Sequence, residues 1–283
     1  LKKTVILNPK WGTNAVYRVL DNKNVIKNFG HFNKSDLEKI WNEPQYENMH
    51  DELLQVMMKF KLCYKIPNTQ DSFIAPQLLT ENQPYYEWDT TDNLVMKFSY
   101  EFMPKGILTQ FIVAMHHDIE QQKFVWKSGI LLRFEEKTEF STNTTFAEVI
   151  EHYGRKEITV RLRGSKRKRN HLTVIVHELE KIHETYKRLK YSKLIPCNCS
   201  QCNTGEEDIY FYRLDRLYKF LDDGQEDIQC QSSYKMVDVR KLIDDVIGDG
   251  FKRERGQTNT KEVPAKYHIR VDAGGNVKNI ILG

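Results

Sequence analysis

Leu94-Val95-Met96-Lys97-Phe98-Ser99-Tyr100 decides how this chain is read. Leu94, Met96, Phe98 and Tyr100 alternate with Lys97 and Ser99, the period of two that places apolar side chains on one face of a strand. Downstream, Ile158-Thr159-Val160-Arg161-Leu162-Arg163 repeats the pattern. Phe124 to Phe134 predicts a further strand, with Gly129 at a bend or bulge. Between and after these lie segments of helical period. One follows Pro104-Lys105-Gly106, with Leu108, Phe111, Ile112, Met115 and Ile119 on one face. The other starts near Asn170, with Leu172, Ile175, Val176, Leu179, Ile182 and Tyr186 inward. Tyr210 to Leu221 and Val237 to Ile247 also predict helices. The mixture predicts an α+β unit over residues 93–250, an antiparallel sheet packed against helices.

Upstream the grammar differs. Thr4 to Leu7 is a short β-branched and apolar run, read as part of an edge strand. Asn8-Pro9 opens a helix, since Asn caps well and Pro is tolerated at the first helical position; Trp11, Ala15, Val16, Val19 and Leu20 give it an apolar face. Ser35-Asp36-Leu37-Glu38 reads as a capping box for a second helix running to Trp41. A third spans Glu47 to Phe60, with Met49, Leu53, Val56, Met57 and Phe60 on its stripe. Leu62 to Ile66 and Ser72 to Pro76 form a hairpin about a polar turn. Three short helices and a hairpin outline a small helical, winged-helix-like unit over residues 1–92. The polar, turn-rich Gln83 to Asp92 is read as a hinge between the two units. Gly248 to Lys261 reads as a linker. Residues 251–283 end in a hairpin of Tyr267 to Val271 and Val277 to Leu282.

The whole chain has 283 residues, enough for two domains. With 40% hydrophobic and 29% charged residues it is rich enough to fold around a core. A net charge of +4 does not by itself imply nucleic acid, because 39 acids offset 43 bases. There is no apolar window of the roughly 18 residues that a membrane span requires. Five cysteines, four of them late, suit a reduced compartment and hence a cytoplasmic location. In such a compartment the acceptor patterns at Asn143-Thr144-Thr145 and Asn198-Cys199-Ser200 carry no meaning. Opening on Leu1, the chain reads as a fragment of a longer polypeptide.

No catalytic constellation emerges. The phosphate-cradling pattern G-x-x-x-x-G-K-[S/T] is absent, since no Gly is followed by Lys, and the G-x-S-x-G nucleophile turn is absent too. His177-Glu178 begins like a zinc-protease motif, but His183 falls six positions on, off the shared helix face. His116-His117-Asp118 reads as a surface or half-buried pair, and Asp222-Asp223 and Asp244-Asp245 as solvated charge. Cys197-Asn198-Cys199-Ser200-Gln201-Cys202 offers three thiols in a tight knuckle, and Cys230 can close a four-sulfur site. Two readings stay open for it, a structural Zn²⁺ or plain reduced thiols, with a disulfide the lesser case. Cys63 reads as an inert core thiol. The third helix opens with Glu47, Asp51 and Glu52, which repel phosphate, so it makes a poor DNA reader. The run Lys166-Arg167-Lys168-Arg169, with Arg155, Arg161 and Arg163, is the better electrostatic candidate. Nucleic-acid binding through the winged-helix-like unit and this basic loop is the alternative function; a solvated loop is the simpler account of the run.

The order of several blocks resembles the COR domain that follows the GTPase domain in Roco proteins. These are Val5-Ile6-Leu7-Asn8-Pro9-Lys10-Trp11, Leu54 to Cys63, Phe73 to Leu79, Tyr100-Glu101-Phe102-Met103-Pro104-Lys105-Gly106, Phe111-Ile112-Val113, His116-His117, Trp126-Lys127-Ser128-Gly129, the Ile158 strand and Leu179 to His183. The late cysteines are similar to those of bacterial members. The resemblance runs to about Val246 and leaves the tail from Gly248 unmatched. It implies a non-catalytic signalling module in a protein that often also carries leucine-rich repeats. The first half would pack on an upstream Ras-like GTPase domain in cis and the second half would homodimerise, with no membrane and no cofactor required. It also places Tyr100, Phe102 and Met103 near the GTPase contact. Aromatic surface for such contacts is expected from Tyr85, Tyr86, Trp88 and Phe102.

Overall fold

A computed structural model of the chain describes residues 9–137, 142–202, 209–248, 269–271 and 277–280. The run Thr4 to Leu7, the cap at Asn8 and most of the linker after Gly248 lie outside the described residues. The chain is α+β. The first unit runs α1 (Pro9–Leu20), α2 (Lys23–Lys27), β1 (His31–Asn33), α3 (Lys34–Ile40), α4 (His50–Lys59), β2 (Tyr64–Lys65) and β3 (Ser72–Ile74). Its strands form a small sheet in the order β1-β3-β2. Ala15, Val19, Leu37, Trp41, Leu53, Met57, Cys63 and Phe73 close its core, and the Trp41 indole N–H donates to the Ala15 carbonyl at 2.9 Å.

Two local readings are corrected. The box at α3 is built on Asn33, not Ser35. The Asn33 side chain accepts from the Asp36 N–H at 2.9 Å, and the Asp36 carboxylate accepts from the Asn33 N–H at 3.0 Å. Ser35 donates its hydroxyl to Asn33 instead. Helix α4 begins at His50 rather than Glu47, because Asn48 takes a left-handed φ of 62° that helix geometry forbids. Its stripe is Leu53, Leu54 and Met57, and Phe60 is 65% exposed. The elements α2 and β1 have no counterpart in the sequence reading.

The second unit runs β4 (Leu94–Tyr100), α5 (Ile107–Ala114), β5 (Val125–Trp126), β6 (Gly129–Lys137), β7 (Thr142–His152), β8 (Glu157–Gly164), α6 (Lys168–His183), β9 (Tyr191–Pro196), β10 (Phe211–Arg213), α7 (Leu214–Asp222), β11 (Asp227–Gln229), β12 (Met236–Asp238) and α8 (Val239–Val246). Seven strands form one antiparallel sheet in the order β10-β9-β4-β8-β7-β6-β5. The deciding stretch is β4, buried at every second residue. Its row Met96, Val160, Val149 and Ile130 crosses four strands in register, all four fully buried under α5 and α6.

The sequence reading assigned no strand to β7 or β9, and took Phe211 to Arg213 as helix. Phe124 to Phe134 is a hairpin rather than one strand. At its turn, a side chain on Gly129 would meet the Trp126 ring at 2.0 Å. The tail strands β13 (Ile269–Val271) and β14 (Val277–Ile280) pair antiparallel, while their turn is outside the described residues.

The two units share a core. Tyr64, Ile74 and Leu79 pack into the large cluster, and the Tyr64 ring lies 4.9 Å from His116. The Lys127 N–H donates to the Thr80 carbonyl at 2.9 Å.

Candidate functional site

The segment expected to be a hinge is docked. From Pro84 to Trp88 every second side chain is half-buried, while Tyr85 is 87% exposed. The segment lies on the reverse face of the sheet, where the next row reads Val95, Arg161, Glu148 and Leu131. Glu148 is 2% exposed, yet its carboxylate is fully engaged. It accepts from the Tyr86 hydroxyl and, at 2.7 Å, from the Arg161 Nε. Burial, then the neighbouring Glu148, pushes the Tyr86 phenol up from its ordinary value. The Trp88 ring sits 5.6 Å from the Arg161 guanidinium and 5.1 Å from that of Arg163. Arg163 also donates to the Glu87 carbonyl at 3.3 Å. The arginines of β8 therefore grip the strap by charge and by the ring face. Tyr86 and Trp88 are consumed inside the chain, which leaves Tyr85 as the exposed aromatic here.

The three residues placed near the GTPase contact fare differently. Tyr100 is 4% exposed, its hydroxyl 2.8 Å from His183 Nε2, and Met103 is 2% exposed. Phe102, between them, is 71% exposed. Of the trio it alone presents a side chain to solvent, beside the Lys190–Glu101 ion pair. His183 itself is 3% exposed, and burial holds its imidazole down at about 4. His177 is exposed, so it shares no site with His183. His116 begins a short 3-10 turn after α5, its Nδ1 2.8 Å from the Val113 carbonyl, and burial lowers its pKa.

Two of the four residues of the basic run pair with acids within the chain, and a third is held by a backbone carbonyl. Arg167 pairs with Glu136 at 3.0 Å, Lys168 with Asp92 at 2.5 Å, and Arg169 donates to the Asp245 carbonyl at 3.0 Å. Arg161 and Arg163 hold the strap. Of the charges that the nucleic-acid alternative relies on, Arg161, Arg167 and Lys168 already have acidic partners.

The structure brings Cys197, Cys199, Cys202 and Cys230 together. Cys197 follows β9 and its N–H donates to the Tyr210 carbonyl at 2.8 Å; Cys230 follows β11. All four sulfurs lie within 4.8 Å of one another and all four residues are buried. Cys202 and Cys230 are 3.6 Å apart, too far for a disulfide bond. A hydrogen bond with Ser233 brings the Cys199 thiol down to about 6, while burial pushes Cys197 up to about 12. Cys63 stands apart in the first core, pushed up to about 12 by burial. Ser233 had no sequence signal of its own, although its spacing from Cys230 repeats that of Cys202 from Cys199.

A helical unit with a small sheet, fused through shared side chains to a large sheet with helices on one face, defines a two-part α+β module. Residues 1–79 match the family described as C-terminal of Roc, COR-A domain, and residues 91–245 match C-terminal of Roc, COR-B domain. The chain belongs to the COR family of Roco proteins. It is 33% identical over 196 residues to the "Roc-COR-CHAT protease" of Runella zeae, covering 69% of this chain and 20% of that protein. It is 23% identical over 266 residues to "Probable serine/threonine-protein kinase pats1" of Dictyostelium discoideum, covering 89% and 8%. With "Probable serine/threonine-protein kinase qkgA" of the same organism it shares 28% over 152 residues, covering 47% and 10%. The chain thus spans a fifth or less of these relatives. Among the described residues no helix is long and apolar enough to cross a membrane.

Proposed function

We propose that this chain is the dimerisation and coupling module of a Roco protein. It packs on an upstream Ras-like Roc GTPase domain in the same polypeptide, and it links that domain's nucleotide state to pairing of two copies through residues 93–250. The division at residue 92, the winged-helix likeness of the first unit, a separate tail from 251 and a cytoplasmic setting belong to the same reading. GTP hydrolysis is assigned to the Roc domain.

The observation that carries it is the succession of a COR-A and a COR-B match in one chain, each of a family defined by its place after Roc. The shared core at Tyr64, Ile74 and Leu79 supports it physically, because a push on the first unit reaches the second through packed side chains rather than a slack linker. Exposed Phe102 supports a docking contact at the end of β4, since buried aromatic anchors contribute much of the energy of interfaces.

Sedimentation equilibrium tests it, on this chain alone and on the chain joined to its Roc domain with GDP or a GTP analogue. The expected result is a dimer, of the class that buries more than about 1,000 Å², whose dissociation constant differs between nucleotides. A monomer at every concentration in both forms would overturn the dimerisation. A dimer indifferent to nucleotide would overturn the coupling.

A further inference from the structure

We propose that Cys197, Cys199, Cys202 and Cys230 hold one Zn²⁺ in a closed four-thiolate site that pins the C-terminal helices to the edge of the large sheet. Proximity alone would also suit reduced thiols, but the backbone adds a second observation. Cys199 and Cys230 each begin a four-residue turn with the same bond. The Cys202 N–H donates to the Cys199 sulfur at 3.4 Å, and the Ser233 N–H donates to the Cys230 sulfur at 3.4 Å. Cys199-Ser200-Gln201-Cys202 and Cys230-Gln231-Ser232-Ser233 are thus two knuckles facing each other. In the second, serine stands where the first has its closing cysteine.

Cys197 makes up the fourth sulfur. The Cys199 N–H donates to its sulfur at 3.4 Å, and the Tyr212 hydroxyl to the same atom at 3.9 Å. Ser233 turns its hydroxyl to the Cys199 sulfur at 3.2 Å. A neutral thiol is a weak acceptor that has little use for several donors, whereas a metal-bound thiolate is stabilised by them. The spacing agrees. Zn–S bonds of about 2.3 Å in a tetrahedron put sulfurs about 3.8 Å apart. Cys202 and Cys230 lie 3.6 Å apart, and the whole set lies within 4.8 Å. Lys235, anchored on Ser200 at 2.7 Å, brings a cation beside the knuckles, where four thiolates around Zn²⁺ leave excess negative charge.

Four sulfurs leave no open position for substrate, so the metal is a staple. It joins the end of β9 to the β11–β12 hairpin, 28 positions on from Cys202, with α7 in the chain between them and α8 directly after the hairpin. The proposal is independent of the pairing and coupling proposed above.

The experiment is elemental analysis of the full chain purified without added metal, followed by exchange with Co²⁺. The expected result is one zinc per chain and, after exchange, the intense visible bands and sulfur-to-cobalt charge transfer of tetrahedral thiolate coordination. Cys63→Ser should keep the zinc, and Cys230→Ser should lose it. Ser233→Ala should keep one zinc but yield it to a competing chelator about 10–100-fold more readily. A metal-free chain whose four thiols react freely while it stays folded would overturn the proposal. So would iron in place of zinc, or zinc held equally well by Cys230→Ser. The cobalt spectrum is read on the unaltered chain, so a variant that fails to fold does not decide the matter.

Discussion

Two rows of side chains cross the same four strands one residue apart and do opposite things. Met96, Val160, Val149 and Ile130 face the helices and are fully buried. Val95, Arg161, Glu148 and Leu131 form the row on the other face, where Arg161 and Glu148 engage each other and the strap by charge, hydrogen bonds and an aromatic ring. The first face is stabilised by burial, which is non-directional and is not screened by salt as charges are. The second depends on particular partners, and loses its meaning when one is removed. A sheet can thus be permanent on one side and releasable on the other.

The comparison can be broken most severely on the helix side. Phe98→Ala, at a fully buried position, is expected to cost about 3–5 kcal/mol by chemical denaturation, with little dependence on salt. Next comes a pH effect on the same face. His183 is held at about 4, against an ordinary 6.5, mainly by burial. Between those values the unfolded chain binds a proton that the folded chain refuses. This contribution is therefore complete above pH 6.5 and declines as pH falls toward 4, by up to roughly 3 kcal/mol. Urea midpoints of the wild type and His183→Gln across that window should converge; parallel curves would refute the assignment.

The reverse face should respond less in stability and more in local opening. Glu148→Gln removes the charged acceptor of Arg161 and is expected to cost about 2 kcal/mol. Hydrogen exchange should quicken through Tyr85 to Trp88 while α6 stays protected. Trp88→Ala, losing its stack on two guanidinium groups, should cost about 1 kcal/mol and loosen the same segment. Lys168→Ala breaks an ion pair whose Asp92 partner is 89% exposed, and should change the thermal midpoint by an amount worth no more than about 0.5 kcal/mol. Equal loosening by this last variant and by Glu148→Gln would mean that the strap is held at its end and not along its length.

The same contrast explains what could be read in advance. Strand β4 and helix α6 were legible because burial follows period there: Leu172, Ile175, Val176, Leu179 and Ile182 are all buried as spaced. The gathering of the four cysteines was legible from the chain itself, where three of them fall within six positions. Strand β7 was not, because Thr145 and Glu148 are buried in it beside Ala147 and Val149, so its hydrophobic pattern carries no period. The strap was taken for a hinge for a related reason. Its Gln, Glu, Asp and Thr residues read as solvent-facing, and nothing local announces that Glu148, some 60 positions on, will seat Tyr86, or that Arg161 and Arg163, some 70 positions on, will seat Trp88. The cap at Asn33 was displaced by two residues because Ser35 fits the same pattern, and only the bonds choose between them.

The large sheet ends at one side in β5, two residues long, and at the other in β10, three residues long. Backbone groups at the rim of a sheet are an invitation to any passing strand, and edges this short offer almost nothing to pair with. Through these two terminal strands, copies of this chain have little means of growing into a continuous ribbon. Association made by side chains instead is one that mutation can tune and a neighbouring domain can reach.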